Sequence, residues 1–146
     1  MGAFEDVALD VLGGVGGGQP SPRLMELRPF LASNYIEDAA QFILDNPGRA
    51  FITTGFFIPV PYSDPLPLTG SVETDGPPGA SFLGRALEQL DFKVTFIGDK
   101  WSNLVFNDIK DVGEYVEFPI VNEDESRDFA NKLLNEKNPS IVIATE

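Results

Sequence analysis

Hydrophobic positions follow two alternating periods along most of the chain. Short runs of β-branched and aromatic residues, such as "RAFITT" and "KVTFIG", are typical of strands, whereas the segments between them repeat an apolar residue every three or four positions, as amphipathic helices do. Strands that alternate with helices indicate an α/β fold. The patterns predict strands near 50–54, 93–97, 115–118 and 140–144, a long loop at 55–76, and helices near 34–44, 78–90, 101–109 and 123–136.

Each predicted helix carries an apolar stripe that should face a core. In chain order the stripes comprise Tyr35, Ile36, Ala39, Ala40, Phe42 and Ile43; Phe82, Leu83, Ala86, Leu87 and Leu90; Trp101, Leu104, Val105 and Ile109; and Phe129, Ala130, Leu133 and Leu134. The sequence therefore predicts a Rossmann-like layered fold, with helices on both faces of a mainly parallel sheet. Asn34 and Asn122 each precede a glutamate by three residues, which predicts a capping box at the first and fourth helices.

Residues 1–32 differ in composition from the rest of the chain. They contain the glycine- and proline-rich run "GGVGGGQPSP", which no apolar strand precedes, so we interpret them as an irregular segment rather than a phosphate-binding loop. We expect the α/β domain to span 33–146. Its last strand, "SIVIA", is apolar on both faces, as a central strand is, yet no helix follows it. We therefore expect an incomplete layer, completed by a homo-oligomeric partner or a complementary C-terminal half.

The composition excludes several classes of function. With 23 acidic and 10 basic residues the formal net charge is −13, which argues against nucleic acid or an anionic membrane as partner. The chain has no Cys and no His, so disulfides, a Ser-His-Asp triad, haem ligation and zinc held by Cys or His are not expected. Acid–base chemistry must use Asp, Glu, Lys or Tyr, and any metal should be Mg²⁺ or Mn²⁺ held by oxygen.

The chain lacks the common targeting patterns. No apolar run approaches the roughly 20 residues of a membrane span. The first residues are acidic where a signal peptide is basic. We expect a protein that is not secreted and that resides in the cytoplasm or the mitochondrial matrix.

The stretch "ETDGPPGA", at 73–80, carries more functional groups than a helix start requires. Proline suits the first helical turn because its missing N–H would be unpaired there. The backbone amides of Gly76, Gly79 and Ala80 could then face a ligand, and a helix N-terminus with bare amides attracts anions. This arrangement predicts a small-molecule site at the start of the second helix.

Glu73 and Asp75 complicate an anion site, because their charges would repel the anion. A ligand that bears both an ammonium and a carboxylate group would satisfy the amides and the acids together. A simpler interpretation is that Thr74 or Asp75 caps the helix while Glu73 is solvated. The spacing alone leaves both interpretations open.

Polar residues and glycines also follow the predicted strands. Thr54 and Gly55 end the first strand, and Asp99 directly follows the second. Because parallel sheets bind ligands at the carboxyl ends of their strands, we expect these tips to converge. Glu73 and Asp75 should lie in the same cleft.

Three segments together resemble a known family. "TTGF" at a strand end, then "ETDGPPGA", then "RALEQLDFKVTFIGD" are similar to the D-glutamate cyclase-like C-terminal domain, which occurs alone in microbes and fused in vertebrate D-glutamate cyclase. The resemblance covers about Ala50 to Glu146 and corresponds to the N-terminal half of that domain. It implies a lyase that converts D-glutamate to 5-oxo-D-proline with loss of water, in D-amino acid metabolism.

The resemblance also implies roles for individual residues. Asp75 and Glu73 are the expected acid–base pair, and Asp75 with Asp99 would hold a Mg²⁺ or Mn²⁺ ion. The substrate, an acidic amino acid, would contact Thr54, Gly55, Gly76, Gly79 and Ala80. Two alternatives remain: an α/β enzyme that binds a sugar phosphate or a nucleotide phosphate, and a non-catalytic subunit that requires a second chain.

Overall fold

The computed structural model describes residues 28–55, 57–59, 70–72, 76–106 and 111–145. The chain divides into two compact units, Met1–Asn46 and Pro47–Glu146. The first predicted helix lies in the first unit, and the predicted domain span of 33–146 stays a prediction.

The first unit contains a 3₁₀ turn, Arg28–Phe30, and helix α1, Tyr35–Asp45. The predicted capping box at its start is wrong. The Asn34 side chain makes no capping hydrogen bond. Its Oδ1, the atom that a cap would use, accepts from the Ser33 hydroxyl (3.3 Å), and its Nδ2 donates to the Asp38 carboxylate (2.8 Å). No residue of α1 is buried, so its apolar stripe does not face a core, and Phe42 is 60% exposed.

The second unit contains all six described strands and three helices. Four strands form one all-parallel sheet, which confirms the predicted α/β fold. These strands are β1, Arg49–Thr53; β4, Lys93–Gly98; β5, Glu114–Glu117; and β6, Ile141–Ala144. Their order in the sheet is β5-β4-β1-β6. The helices are α2, Gly76–Glu88; α3, Lys100–Phe106; and α4, Glu123–Lys137.

A small antiparallel hairpin lies within the region predicted to be a loop. Strand β2, Phe57–Pro59, pairs with strand β3, Gly70–Val72. Each strand has three residues, which is too short to show the alternation by which strands are identified in a sequence. The hairpin lengthens the connection between β1 and α2.

Helices cover both faces of the sheet, as predicted. Phe51 and Ile97 point to one face, where they pack with Leu133 of α4. Their neighbours along each strand point to the other face. There Phe96 stacks on Phe106 of α3, with ring centroids 4.6 Å apart, and α2 presents Gly84 to the same ring.

The buried face of α2 differs from the predicted stripe. The helix buries Ala80, Ser81, Gly84 and Leu87, whereas Phe82 is 73% exposed. A β-carbon on Gly84 would lie 2.5 Å from the Phe96 ring. Because that ring fills the space above the sheet, the helix packs through small residues.

Helices α3 and α4 follow their predictions to different degrees. Helix α3 buries Ser102 and Phe106, while Trp101 and Val105 of the predicted stripe are half-buried. Ile109 and the Leu104 side chain lie outside the described residues. Helix α4 buries Leu133, as expected, and its predicted cap is present.

The cap of α4 shows half of the expected capping box. The Asn122 side chain accepts a hydrogen bond of 3.0 Å from the Glu125 amide, as the spacing predicted. Within the described residues no helix is long and apolar enough to cross a membrane.

Strand β6 lies at one end of the sheet, where it pairs with β1. The sequence pattern is that of a central strand, yet Val142 is 58% exposed. In the described part of the chain, the outer edge of β6 has no strand beside it.

Candidate functional site

The order of the strands creates a crevice at the carboxyl edge of the sheet. From β1 the chain proceeds to β4 and β5 on one side and then returns to β6 on the other side of β1. Such a reversal of direction is where open α/β sheets bind ligands. The tips meet as predicted: the Thr145 amide donates to the Thr53 carbonyl (2.8 Å), and the Thr54 amide donates to the Ile97 carbonyl (3.1 Å).

Asp99 is the first residue beyond β4 and caps helix α3. Its Oδ1 atom accepts hydrogen bonds from the Trp101 amide (3.0 Å), the Ser102 amide (2.8 Å) and the Ser102 hydroxyl (3.0 Å). Among the described residues, none donates to Oδ2. One carboxylate oxygen therefore holds the helix, and the other has no donor within the described part of the chain.

Ser102 is completely buried beneath two glycines. Gly55 has φ +118°, and a β-carbon there would overlap the Ser102 hydroxyl. A β-carbon on Gly98 would lie 2.9 Å from the Ser102 Cβ and 2.7 Å from the Thr54 carbonyl oxygen. Both glycines thus allow the tips of β1 and β4 to close on α3.

Tyr115 joins the same group of residues from β5. Its hydroxyl donates to the Asp99 carbonyl across 2.5 Å. Burial raises the pKa of Tyr115, as do the nearby charges of Asp99 and Glu117, although a hydrogen bond with Ser102 acts in the opposite direction. Tyr115 therefore remains a neutral donor. We call Thr54, Gly55, Asp99, Ser102 and Tyr115 the carboxyl-edge cluster.

Sequence reasoning identified three members of the cluster and missed two. Thr54, Gly55 and Asp99 were predicted from their places at strand tips, and the structure brings them together. The signal for Ser102 was its place three residues after Asp99, a spacing typical of helix caps. Tyr115 had no local signal, because it comes from a strand 16 residues away from its partner.

Thr54 carries the observation that most directly suggests a ligand. The residue is 7% exposed, and its Oγ1 is buried without a hydrogen-bond partner among the described residues. A buried polar atom left unpaired costs about 1–3 kcal/mol. By alternation from Ile52, this side chain points to the face of the sheet on which α2 and α3 lie.

The start of α2 lies at the same edge of the sheet. The helix ends at the opposite edge, where Glu88 accepts a hydrogen bond of 2.8 Å from the amide of Gly113, just before β5. Since α2 runs antiparallel to the strands, Gly76 lies at their carboxyl ends. This agrees with the expectation that the helix start contributes to the cleft.

The first turn of α2 offers fewer amides than expected. Pro77 and Pro78 have no N–H. Ala80 is completely buried, and its amide lies four residues after Gly76, where helical pairing occupies it. Gly79 is exposed, and a β-carbon there would meet nothing within 4 Å. The first turn of α2 therefore offers few backbone N–H donors for the anion site that the sequence predicted.

Glu73, Thr74 and Asp75 lie outside the described residues. Their assignment as acid–base residues, cap or metal ligand stays a prediction. The flanking residues are described: Val72 ends β3, which contacts α3, and Gly76 begins α2. In the described ranges no group of three acidic side chains could hold a metal ion, and the assignment of Asp75 and Asp99 to a metal stays a prediction.

Comparison with known proteins identifies the family. No curated protein matches the sequence significantly. The model of the D-glutamate cyclase-like C-terminal family matches residues 21–146, which include the carboxyl-edge cluster and the "ETDGPPGA" stretch. The chain therefore belongs to the D-glutamate cyclase-like C-terminal family.

Proposed function

We propose that the chain is a D-glutamate cyclase-like enzyme, or part of one, that converts D-glutamate to 5-oxo-D-proline and water. The observation that carries the proposal is the family match across residues 21–146. The buried Thr54 hydroxyl has no hydrogen-bond partner among the described residues and lies at the edge where parallel sheets bind ligands, which supports a small-molecule site.

The reaction requires two proton movements. The α-nitrogen attacks the γ-carboxyl carbon, so that a C–N bond forms and one C–O bond breaks. Of the three ammonium protons, one stays on the lactam nitrogen and two leave with the carboxyl oxygen as water. A base must free the amine, and an acid must protonate the departing oxygen. In a chain without His or Cys, carboxylates are suited to both steps.

We assign these steps to Asp75 first and Glu73 second. Glu73 directly follows Val72 of β3, and Asp75 directly precedes Gly76 of α2. Strand β3 contacts α3, and α2 begins at the carboxyl edge. The places of the described neighbours Val72 and Gly76 support the assignment.

The described residues suit an ammonium-bearing ligand. Oδ2 of Asp99, to which no described residue donates, would accept from the substrate ammonium, and the Thr54 hydroxyl would pair with a carboxylate oxygen. Lys100, beside Asp99 and 4.4 Å from the Trp101 ring centre, is a nearby cation for a second carboxylate. A phosphate ligand fits less well, because Pro77 and Pro78 remove amides that would bind it.

We propose Asp75 and Asp99 as the residues that would hold a Mg²⁺ or Mn²⁺ ion. Asp99 offers one oxygen, since its other oxygen accepts three hydrogen bonds. Because one described carboxylate does not make a site, no step above depends on the metal. Turnover of D-glutamate, measured with and without each ion, tests whether the reaction requires a metal.

The test is formation of 5-oxoproline from D-glutamate by the wild type and by Asp75→Asn. Loss of an acid–base group should lower turnover about 100-fold or more. Asn caps a helix about as well as Asp, so the free energy of unfolding should change by only a few tenths of a kcal/mol. Asp128→Asn, the same change on the exposed part of α4, is the matched control and should keep full activity.

Full activity in Asp75→Asn would overturn the catalytic assignment and leave Asp75 as a cap. If the wild type itself does not turn over D-glutamate, thermal shifts distinguish the alternatives. Stabilisation by D-glutamate or 5-oxo-D-proline would support the substrate class, and stabilisation by nucleotides alone would favour a phosphate-binding enzyme.

A second candidate, a subunit that requires another chain, is favoured by the exposed apolar edge of β6. Val142 is 58% exposed on a strand that lies at one end of the described sheet. Bare edges with apolar side chains tend to pair with further strands. Native mass measurement of the protein from its source would show whether a second copy or another polypeptide is bound, and a monomer would count against this candidate.

A further inference from the structure

A cavity of about 300 Å³ lies at the amino edge of the sheet, opposite the carboxyl-edge cluster. Three of its six lining residues are cations, in a chain with 10 basic and 23 acidic residues. The lining residues are Gly48, Arg49, Asp91, Lys93, Lys137 and Asn138. We call this the amino-edge cavity.

The topology of the sheet brings these cations together. Arg49 and Lys93 are the first residues of β1 and β4 and lie opposite each other in the parallel pairing. Lys137 is the last residue of α4, which returns to the amino edge before β6. Asn138 has φ 46° and ends that helix, so the rim of the cavity consists of tight turns.

Glu114 holds two of the cations in place. Its carboxylate contacts Arg49 at 2.6 Å and Lys137 at 2.9 Å. Arg49 also donates to the buried Thr95 hydroxyl across 2.8 Å. A guanidinium group has five N–H donors, so Arg49 retains donors for a ligand.

Lys93, unlike Arg49 and Lys137, does not contact Glu114. Among the described residues it forms no ion pair, and it is exposed. With Asp91 and Glu114 counted against the three cations, the cavity carries a net charge of about +1 in a protein of net charge −13. A local reversal of charge of this kind favours an anionic ligand.

We propose that the amino-edge cavity binds a small oxyanion, a carboxylate or a phosphate. Lys93 is the principal ligand, and Arg49 and Lys137 are held ready by Glu114. Asp91 offers an acceptor to a hydroxyl or ammonium group on the same molecule. The volume lies at the lower end of the range for small-ligand pockets. The proposal is independent of the reaction proposed at the carboxyl edge.

Calorimetric titration tests whether the amino-edge cavity binds an oxyanion. Inorganic phosphate and D-glutamate serve as separate probes at constant ionic strength. The wild type should bind at least one probe saturably, and Lys93→Gln should weaken binding by about tenfold or more. Lys132→Gln removes the same charge from the exposed part of α4 and should bind like the wild type. Lys93 pairs with Gly48 through its backbone amide, so the substitution leaves that hydrogen bond intact.

The two probes distinguish the source of the oxyanion. Binding of phosphate alone indicates a phosphate ligand, and binding of D-glutamate that survives Asp75→Asn but not Lys93→Gln indicates a carboxylate ligand at this edge. Amide chemical shifts of Gly48, Asp91 and Asn138 should move on titration. The absence of saturable binding in the wild type would overturn the proposal, as would equal losses in Lys93→Gln and Lys132→Gln.

Discussion

Ser102 packs directly against Gly55, so closely that a β-carbon on Gly55 would overlap the Ser102 hydroxyl. The contact joins the tip of β1 to the first turn of α3. The same hydroxyl donates to Asp99, which caps that turn. The geometry of the carboxyl-edge cluster therefore depends on a glycine at position 55.

Gly55→Ala should destabilise the protein by about 1–3 kcal/mol. The φ of +118° is strained for any residue with a β-carbon, and the overlap with Ser102 adds to the cost. Gly79→Ala is the control, since it fills open space in a helix and should stabilise by up to about 1 kcal/mol. Urea denaturation measures the free energy of unfolding of both variants. Equal stability of the two variants would contradict the packing role of Gly55.

Thr54→Val should leave stability unchanged or raise it slightly. The substitution keeps the shape and removes a hydroxyl that has no partner among the described residues. If that hydroxyl contacts the substrate, kcat/KM should fall by about tenfold. Unchanged kcat/KM would exclude Thr54 from the site.

Thr95→Val is the matched comparison for Thr54→Val. The Thr95 hydroxyl is buried, accepts from Arg49 and donates to Glu114 across 2.8 Å. Its removal leaves two groups without this partner and should destabilise by about 1–3 kcal/mol. Thermal unfolding should therefore separate two buried threonines that look alike in the sequence.

Glu114 should contribute to stability in a pH-dependent way. Burial would raise the pKa of its carboxyl group, but hydrogen bonds from Lys137 and Thr95 and the charges of Lys137 and Arg49 outweigh burial, so the pKa lies below its ordinary value of 4.5. A lowered pKa gives stability that is present above about pH 4.5 and is lost as the pH falls through the folded-state value.

Unfolding of Glu114→Gln from neutral to acid pH checks this prediction. The variant should be less stable than the wild type at neutral pH, and the difference should shrink below about pH 4.5. Glu123→Gln removes an exposed partner of Arg127 on α4 and should have little effect. A difference that does not change with pH would contradict the assigned role of Glu114.

Asp99→Asn separates capping from ligand binding. Asn can accept the same hydrogen bonds at Oδ1, so stability should change by only a few tenths of a kcal/mol, whereas Asp99→Ala should lose about 1 kcal/mol. If Oδ2 binds the substrate ammonium or a metal ion, Asp99→Asn should raise KM or lower turnover. An active Asp99→Asn that is as stable as the wild type would leave capping as its role.

Local patterns along the chain were enough to predict the secondary structure. Runs of β-branched residues and helical apolar periods located the four sheet strands and the helices to within about two residues at most ends, because both patterns depend on near neighbours in the sequence. The cap at Asn122 could also be predicted from the sequence, because its donor, the Glu125 amide, lies only three residues away. The cap predicted at Asn34 is absent, because the Asn34 Oδ1 accepts from the Ser33 hydroxyl instead of a helix amide.

Which helix faces are buried and which distant residues meet depends on tertiary packing. Helix α2 turns Gly84 rather than Phe82 toward the sheet, because the Phe96 ring already fills that space. The amino-edge cavity joins Arg49, Lys93 and Lys137, which are far apart in sequence and become neighbours only through the strand order. The period of a segment shows that one of its faces is apolar, whereas packing against residues distant in sequence determines what that face contacts.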